Sequence, residues 1–184
     1  MALALLLLLA ASAPLASCRA PGTTISPELV ERNNRAVGLM GQFDFNAAVD
    51  AFSSIHADEP VWPQGRLNLA IALMNRQREG DAARAEALLR ELLDVPALER
   101  RARYTLGLLL LHDGREAEAL PLLTGVANGD PPDGFAAYFV GQLRAAAPAE
   151  ALEWHRRAAA QQPLLRSAHY GAFLALRRLQ GEMP

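Results

Sequence analysis

The cysteine at position 18 is the residue whose type and setting point most directly to chemistry. It is the only cysteine in 184 residues, which excludes an internal disulfide, a CxxC redox pair and a cysteine-based zinc cage. The run LALLLLLAA at residues 3–11 precedes it. Such a run is shorter than the ~20 residues of a membrane-spanning helix and is typical of a signal-peptide core. The pattern therefore predicts export, with a single thiol near the cleavage point.

The residues around that thiol suggest a reason for it. The tetrad Leu15, Ala16, Ser17 and Cys18 resembles the lipobox of bacterial lipoproteins. That resemblance implies that residues 1–18 carry the signal, that Cys18 is lipidated through sulfur, and that residues 19–28 form a tether. Because Arg19 rather than Asp follows, it further implies a periplasm-facing protein at the outer rather than the inner membrane. The alternative is ordinary secretion, with Cys18 discarded or left as a free thiol.

No other group of residues forms a catalytic pattern. The four histidines are far apart in sequence, and HExxH, GxSxG, GxxxxGK[ST] and GxGxxG are all absent. The formal net charge of −2 does not favour nucleic acid as a partner. We therefore predict a protein that is not an enzyme and has no metal site, cofactor or small-molecule substrate.

Helical spacing of apolar residues runs from residue 29 to the C-terminus, with no strand pattern. Counted from Arg100 as position 1, the third unit has Gly107 at position 8, Ala119 at 20 and Pro131 at 32. Counted from Leu29, the first unit has Ala36 and Ala48 at positions 8 and 20. A helix-turn-helix period of ~34 residues with small residues at 8 and 20 is similar to the tetratricopeptide repeat, or TPR.

The resemblance to TPR proteins implies an all-α, right-handed solenoid over residues 29–181. Its four repeats span residues 29–62, 63–99, 100–133 and 134–163, with longer or shorter turns in the second and fourth. A terminal helix over 164–180 places Gly171 at position 8. We expect Arg166, Arg177, Arg178 and Gln180 to give this helix a polar outer side that covers the last apolar face.

Segments such as NNRAVGLMGQFDFNAAVDAF and ARYTLGLLLLHDGR carry a more particular resemblance, which spans residues 33–179. They resemble the TPR segment of bacterial FG-GAP proteins that have an ASPIC/UnbV domain. In that family the repeats precede a β-propeller, so the alternative to an independent scaffold is an accessory segment of a larger propeller protein or envelope enzyme.

In TPR proteins the first helix of each repeat lines a concave groove that binds another protein or an extended peptide. Transferred to this chain by repeat position, the groove residues are Asn34, Val37, Asn68, Ile71, Tyr104, Leu108, Tyr138 and Gln142. Asn34 and Asn68 would form an amide ladder able to bond an extended backbone, beside apolar and aromatic contacts. We expect about half of the groove-facing positions, Leu67, Ile71 and Leu108 above all, to belong to the core. A carboxylate clamp is built from Lys, Asn and Arg at these positions; lysine is absent from this sequence and only isolated members of the set occur, which argues against that type of site.

Overall fold

A computed structural model describes residues 25–181, and this range consists of α-helices without any strand. Cys18, the predicted signal peptide and most of the predicted tether lie outside the described residues. The helices are α1 (Pro27–Gly41), α2 (Phe45–Asp58), α3 (Pro63–Arg76), α4 (Asp81–Glu91), α5 (Glu99–His112), α6 (Glu116–Ala127), α7 (Gly134–Leu143), α8 (Pro148–Gln161) and α9 (Arg166–Leu179).

The helix starts follow from local sequence. The side chains of Ser26, Asp44 and Asp133 each accept a hydrogen bond from a backbone N–H in the first turn of α1, α2 and α7. These bonds satisfy donors that a helix start leaves without an intrahelical partner. In α1, α3 and α8 a proline stands in the first turn, where its missing N–H is not needed.

Each odd-numbered helix packs on the following even-numbered helix, and small residues set how closely they approach. A Cβ added at Gly107 of α5 would lie 2.7 Å from the Cγ of Leu123 in α6. Ala36, Ala48 and Ala119 are likewise fully buried. The small residues predicted at positions 8 and 20 therefore lie in the helix contacts, and the all-α repeat fold predicted from sequence is confirmed.

The odd-numbered helices, which are the first helices of the repeats, lie side by side. Helix α1 contacts α3, α3 contacts α5, and α7 contacts α9, whereas α5 and α7 approach each other through the rings of Tyr104 and Phe139. Within residues 25–181, no contact of similar extent joins one even-numbered helix to the next. Helices on the inner side of a curved stack are closer together than those on its outer side, so the first helices form the concave side. We call their exposed surface the first-helix face.

The terminal helix has a different register from the one predicted. Helix α9 begins at Arg166, three residues after Pro163, as α7 begins three residues after Pro131. This makes Arg166 position 1 and places Gly171 at position 6 rather than 8. Position 3 is then a small buried residue in four successive first helices: Gly65, Ala102, Ala136 and Ala168. That shared feature supports the corrected register.

Helix α9 also differs from expectation in its outer side. Its small residues Ala168, Gly171 and Ala175 face the array, while large apolar side chains remain exposed. Tyr170, Phe173, Leu176 and Leu179 are 62%, 48%, 38% and 49% exposed. The close contact with α8 admits only small residues on the inner side of α9, so its large apolar side chains lie on the outer side. Arginines are also present there, as the sequence predicts, and the outer side is therefore mixed rather than polar.

Candidate peptide-binding face

A chain of side-chain hydrogen bonds crosses the N-terminal part of the first-helix face. The Nδ2 of Asn68 donates to the Oδ1 of Asn33 at 2.7 Å, which joins α3 to α1. The Nε2 of Gln64 donates to the Oδ1 of Asn68 at 2.9 Å. An Arg101 guanidinium nitrogen donates to the Oε1 of Gln64 at 3.4 Å, which extends the chain to α5. Side chains at positions 2, 5 and 6 of neighbouring first helices therefore meet on one surface.

Aromatic rings occupy the C-terminal part of the same face. The ring centroids of Tyr104 in α5 and Phe139 in α7 are 6.5 Å apart, and those of Tyr138 and Phe139 are 5.3 Å apart. Both pairs are inclined, as aromatic contacts prefer. Partial burial, and then the negative charge of Asp133, raise the pKa of the Tyr104 phenol. Both effects favour the neutral phenol, which keeps its O–H group as a potential hydrogen-bond donor.

The tyrosine hydroxyls on this face make no hydrogen bond to the protein within residues 25–181. Neither Tyr104 nor Tyr138 contributes a buried side-chain oxygen that lacks a partner. Their hydroxyls are therefore reachable from solvent. Half-buried rings with accessible hydroxyls can combine apolar contact with hydrogen bonding to a ligand.

The structure places the eight predicted groove residues in different environments. Asn34, Val37 and Gln142 are exposed, whereas Asn68, Tyr104 and Tyr138 are half-buried on the face. Ile71 and Leu108 are half-buried and pack against the core, and Leu67 is fully buried. That outcome agrees with the expectation that part of the set belongs to the core. Whether any of these residues binds a partner stays a prediction.

Two features of the face were not evident from the sequence as we interpreted it. The amide partner of Asn68 is Asn33, not Asn34, because the hydrogen bond joins position 6 of α3 to position 5 of α1. Gln64 was missed altogether. Gln64 lies at position 2 of its repeat, as Arg101 does, and this groove-facing position is the feature of the sequence that could have identified it.

The remaining polar clusters are structural. The carboxylate of Asp81 is buried and receives two hydrogen bonds from Arg76, at 2.9 and 2.6 Å, which hold the pKa of Asp81 below its ordinary value. Glu86 is bonded by Arg115 and Arg90, and its pKa is lowered in the same way. Within residues 25–181, no group of His, Cys, Asp and Glu side chains has a metal-binding arrangement.

His155 of α8 is a buried histidine that packs between two neighbouring helices. It is 3% exposed, and its ring lies against both Gly141 of α7 and Gly171 of α9. Burial lowers the pKa of its imidazole, and its Nδ1 has no hydrogen-bond partner in the described range. Its repeat position, normally a packing position between helices, predicts a partly buried histidine with satisfied ring nitrogens. The structure gives a fully buried one whose Nδ1 has no partner within residues 25–181.

Solved structures with the same architecture identify the fold. MamA from Desulfovibrio magneticus RS-1, from its residue 41 to the end, is 21% identical with a TM-score of 0.70, over 85% of this chain and 88% of that one. A MamA RS-1 ArsTM double mutant gives the same identity and TM-score over 84% and 86%. The chain has a TPR-like fold. Another MamA crystal structure is 18% identical with a TM-score of 0.66, over 79% and 84%.

These identities establish the fold alone. No family model matches the chain, and no curated protein does. The resemblance to the TPR segment of FG-GAP proteins therefore stays a prediction. In the part of the chain that the structure describes, no helix is both long enough and apolar enough to cross a bilayer.

Proposed function

We propose that the protein is a non-catalytic scaffold that binds an extended segment of another protein on its first-helix face. The observation that carries this proposal is the continuity of the face. Hydrogen-bonded amides join α1 to α3, Arg101 extends the hydrogen-bond chain to α5, and aromatic rings of α5 and α7 contact each other on the same face. The TPR-like architecture supports it, since α-solenoids present extended concave surfaces of this kind.

Site-specific photo-crosslinking tests this proposal. A photoreactive amino acid at Gln142 is exposed on the first-helix face, and the same amino acid at Glu153 is exposed on α8. We expect Gln142 to crosslink a discrete partner in cells of the source organism and Glu153 to give none. Equal crosslinking from both positions, or none from either, would rule out a specific binding face.

The second part of the proposal concerns location. The apolar run at residues 3–11 and the tetrad ending at Cys18 support export and lipid attachment, with the outer membrane favoured over the inner one by Arg19. Cys18→Ser should release the protein from the membrane fraction and prevent removal of residues 1–17. Ser17→Ala is the matched control, because it keeps a small residue before the cysteine. Membrane attachment that survives Cys18→Ser would refute the anchor.

A different assignment follows from the FG-GAP resemblance over residues 33–179: the repeats would then be an accessory segment of a larger propeller protein. Genomic sequence beyond Pro184 distinguishes the two. An in-frame β-propeller would favour the accessory role, and a stop codon would favour the independent scaffold.

A further inference from the structure

One buried packing position of the array holds a titratable side chain in the fourth repeat and an apolar one in the third. Leu123 of α6 faces Gly107 of α5, and His155 of α8 faces Gly141 of α7 in the same way. In both pairs a Cβ added at the glycine would lie 2.7 Å from the facing side chain. Leucine fills this place in the third repeat, so packing alone does not account for the histidine in the fourth.

The His155 ring is in direct contact with the helices on both sides of α8. A Cβ added at Gly171 of α9 would lie 2.6 Å from its Cε1 and its Nε2, and the ring centroid is 5.7 Å from that of Tyr138 in α7. Neither ring nitrogen has a hydrogen-bond partner within residues 25–181. Any charge on this ring would therefore lie between α7 and α9 without a bonded partner.

No carboxylate faces the ring from the helices that pack against α8. A cavity of about 110 Å³ beside His155 is lined by Gln142 of α7 and Arg178 of α9, and otherwise by alanine, glycine and leucine. The titratable groups facing the ring are thus Arg178, which is positive, and the Tyr138 phenol, which is uncharged in neutral and acid solution. On α8 the residues one turn away are Ala151, Leu152, Ala158 and Ala159.

Protonation of His155 opposes this packing. An imidazolium has two N–H donors and a positive charge, and burying a charge without a partner is costly. Burial accordingly lowers the pKa of His155, and no charged group offsets that effect. An exposed histidine has a pKa of about 6.5, so the exposed state binds more protons than the packed one. Stability that requires the neutral ring is present above about pH 6.5 and is lost as the pH falls toward the lowered pKa.

Helix α9 is the element whose separation exposes the ring at the smallest cost. It is the last helix of the described residues, and it packs on α8 and α7 through the small residues Ala168, Gly171 and Ala175. Small side chains bury little apolar surface. One further hydrogen bond, from Arg178 to the carbonyl of Ala145, joins α9 to the end of α7 at 3.1 Å. Helix α7, in contrast, is packed between α6 and α8.

We propose that His155 makes the attachment of α9 dependent on pH: proton uptake by its imidazole detaches α9 from α7 and α8, while the first three repeats remain folded. Detachment uncovers an apolar side of α8, where Ala151 and Leu152 pack against Ala175 in the attached state. The array therefore ends in a covered face at neutral pH and an uncovered one in acid. This property goes beyond the proposed function and does not depend on it.

Hydrogen–deuterium exchange of the full chain in mild detergent tests the proposal, because it reports the opening of α9 separately from that of other helices. Protection factors in α9 and α5 are compared at pH 7.5 and pH 5.5, on either side of the ordinary histidine pKa of about 6.5. We expect α9 to lose protection several-fold, up to about 10-fold, since pH 5.5 is about one unit below that value. Helix α5 should keep its protection. Asp81 and Glu86 stay ionised at both pH values, because their arginine partners lower their pKa values.

Variants identify the responsible group. His155→Leu removes the titratable ring and supplies the side chain that Leu123 provides in the third repeat, so α9 should be equally protected at both pH values. His169→Gln is the matched control, because His169 is the histidine of α9 itself and is exposed, with its Nε2 2.9 Å from the carbonyl oxygen of Pro163. It should keep the wild-type loss. Gln142→Glu should reduce the loss, since it adds a carboxylate to the cavity beside His155.

Three results would overturn the proposal. They are an unchanged protection factor of α9 between the two pH values, an equal loss in His155→Leu, and a loss in α5 as large as that in α9. If His155→Leu did not fold, Gln142→Glu would decide, because a loss equal to that of the wild type would show that the charge on His155 is not the cause. Photo-crosslinking from Gln142 at neutral pH tests the binding face separately from all of these.

Discussion

The N-terminal and C-terminal halves of the first-helix face use the same repeat positions for different purposes. In α1 and α3, the amides of Asn33, Asn68 and Gln64 bond to one another, so their polar groups are largely satisfied within the protein. In α5 and α7, Tyr104 and Tyr138 pack through their rings, and their hydroxyls have no protein partner within residues 25–181.

The difference shows that exposure of polar residues on a repeat surface does not by itself define a binding site. Amides that bond to each other fix the relative placement of neighbouring helices. A ligand would have to replace those bonds rather than add to them, which limits the gain on binding. Hydroxyls without protein partners can bond a ligand at no such cost, so the C-terminal half is better suited to recognition.

Position 5 gives the sharpest contrast between the halves and the largest expected effect. Leu67 occupies this position in α3 and is fully buried, whereas Tyr170 occupies it in α9 and is 62% exposed. Leu67→Ala should lower the free energy of unfolding by about 2–5 kcal/mol, through lost contacts and a residual cavity. Tyr170→Ala should change it by less than about 0.5 kcal/mol, as for most surface substitutions. Urea titrations of both variants would measure these differences. Similar losses of unfolding free energy in the two variants would mean that position 5 has the same structural role in both halves of the face.

The fold was largely predictable because packing constraints recur at fixed positions. A small residue at position 8 is required wherever the second helix crosses closely, as Gly107 against Leu123 demonstrates, and this requirement is visible in sequence. Two repeats with small residues at the same two positions were enough to predict the helix pairs. Turns of unequal length in the second and fourth repeats did not alter that packing.

The details of the face were less predictable, for two physical reasons. Gly171 resembles a position 8 glycine, but it is small because the His155 ring lies against it, so the predicted register of α9 was shifted by two residues. Asn33 and Asn34 are adjacent and chemically identical. Which of them meets Asn68 depends on the rotation of α1 against α3, and composition does not reveal that rotation.

The glycine contacts of His155 provide the second prediction, which concerns how α9 packs against α8. A Cβ at Gly171 would lie 2.6 Å from ring atoms of His155, so Gly171→Ala should overpack this contact and cost about 1–3 kcal/mol. Gly38→Ala in α1 is the control, because nothing lies within 4 Å of that site. It should stabilise the protein by roughly 0.5–1 kcal/mol, since alanine favours helix more than glycine does. Thermal melts in which Gly171→Ala matched Gly38→Ala would show that α9 does not depend on this contact.

The smallest effect is expected for the amides of the N-terminal half, and it tests directly whether they are structural. Asn68→Ala removes the bonds to Asn33 and Gln64, so it should destabilise the protein by about 1 kcal/mol, the usual net value of such bonds. Asn34→Ala should have almost no effect, because Asn34 is exposed and makes no side-chain hydrogen bond within the described residues. In a double-mutant cycle, Asn33→Ala and Asn68→Ala should be non-additive, whereas Asn34→Ala and Asn68→Ala should be additive. If Asn34→Ala and Asn68→Ala were the non-additive pair, Asn34 rather than Asn33 would connect α1 to α3. The description of the N-terminal half as a set of amides bonded through Asn33 would then be wrong.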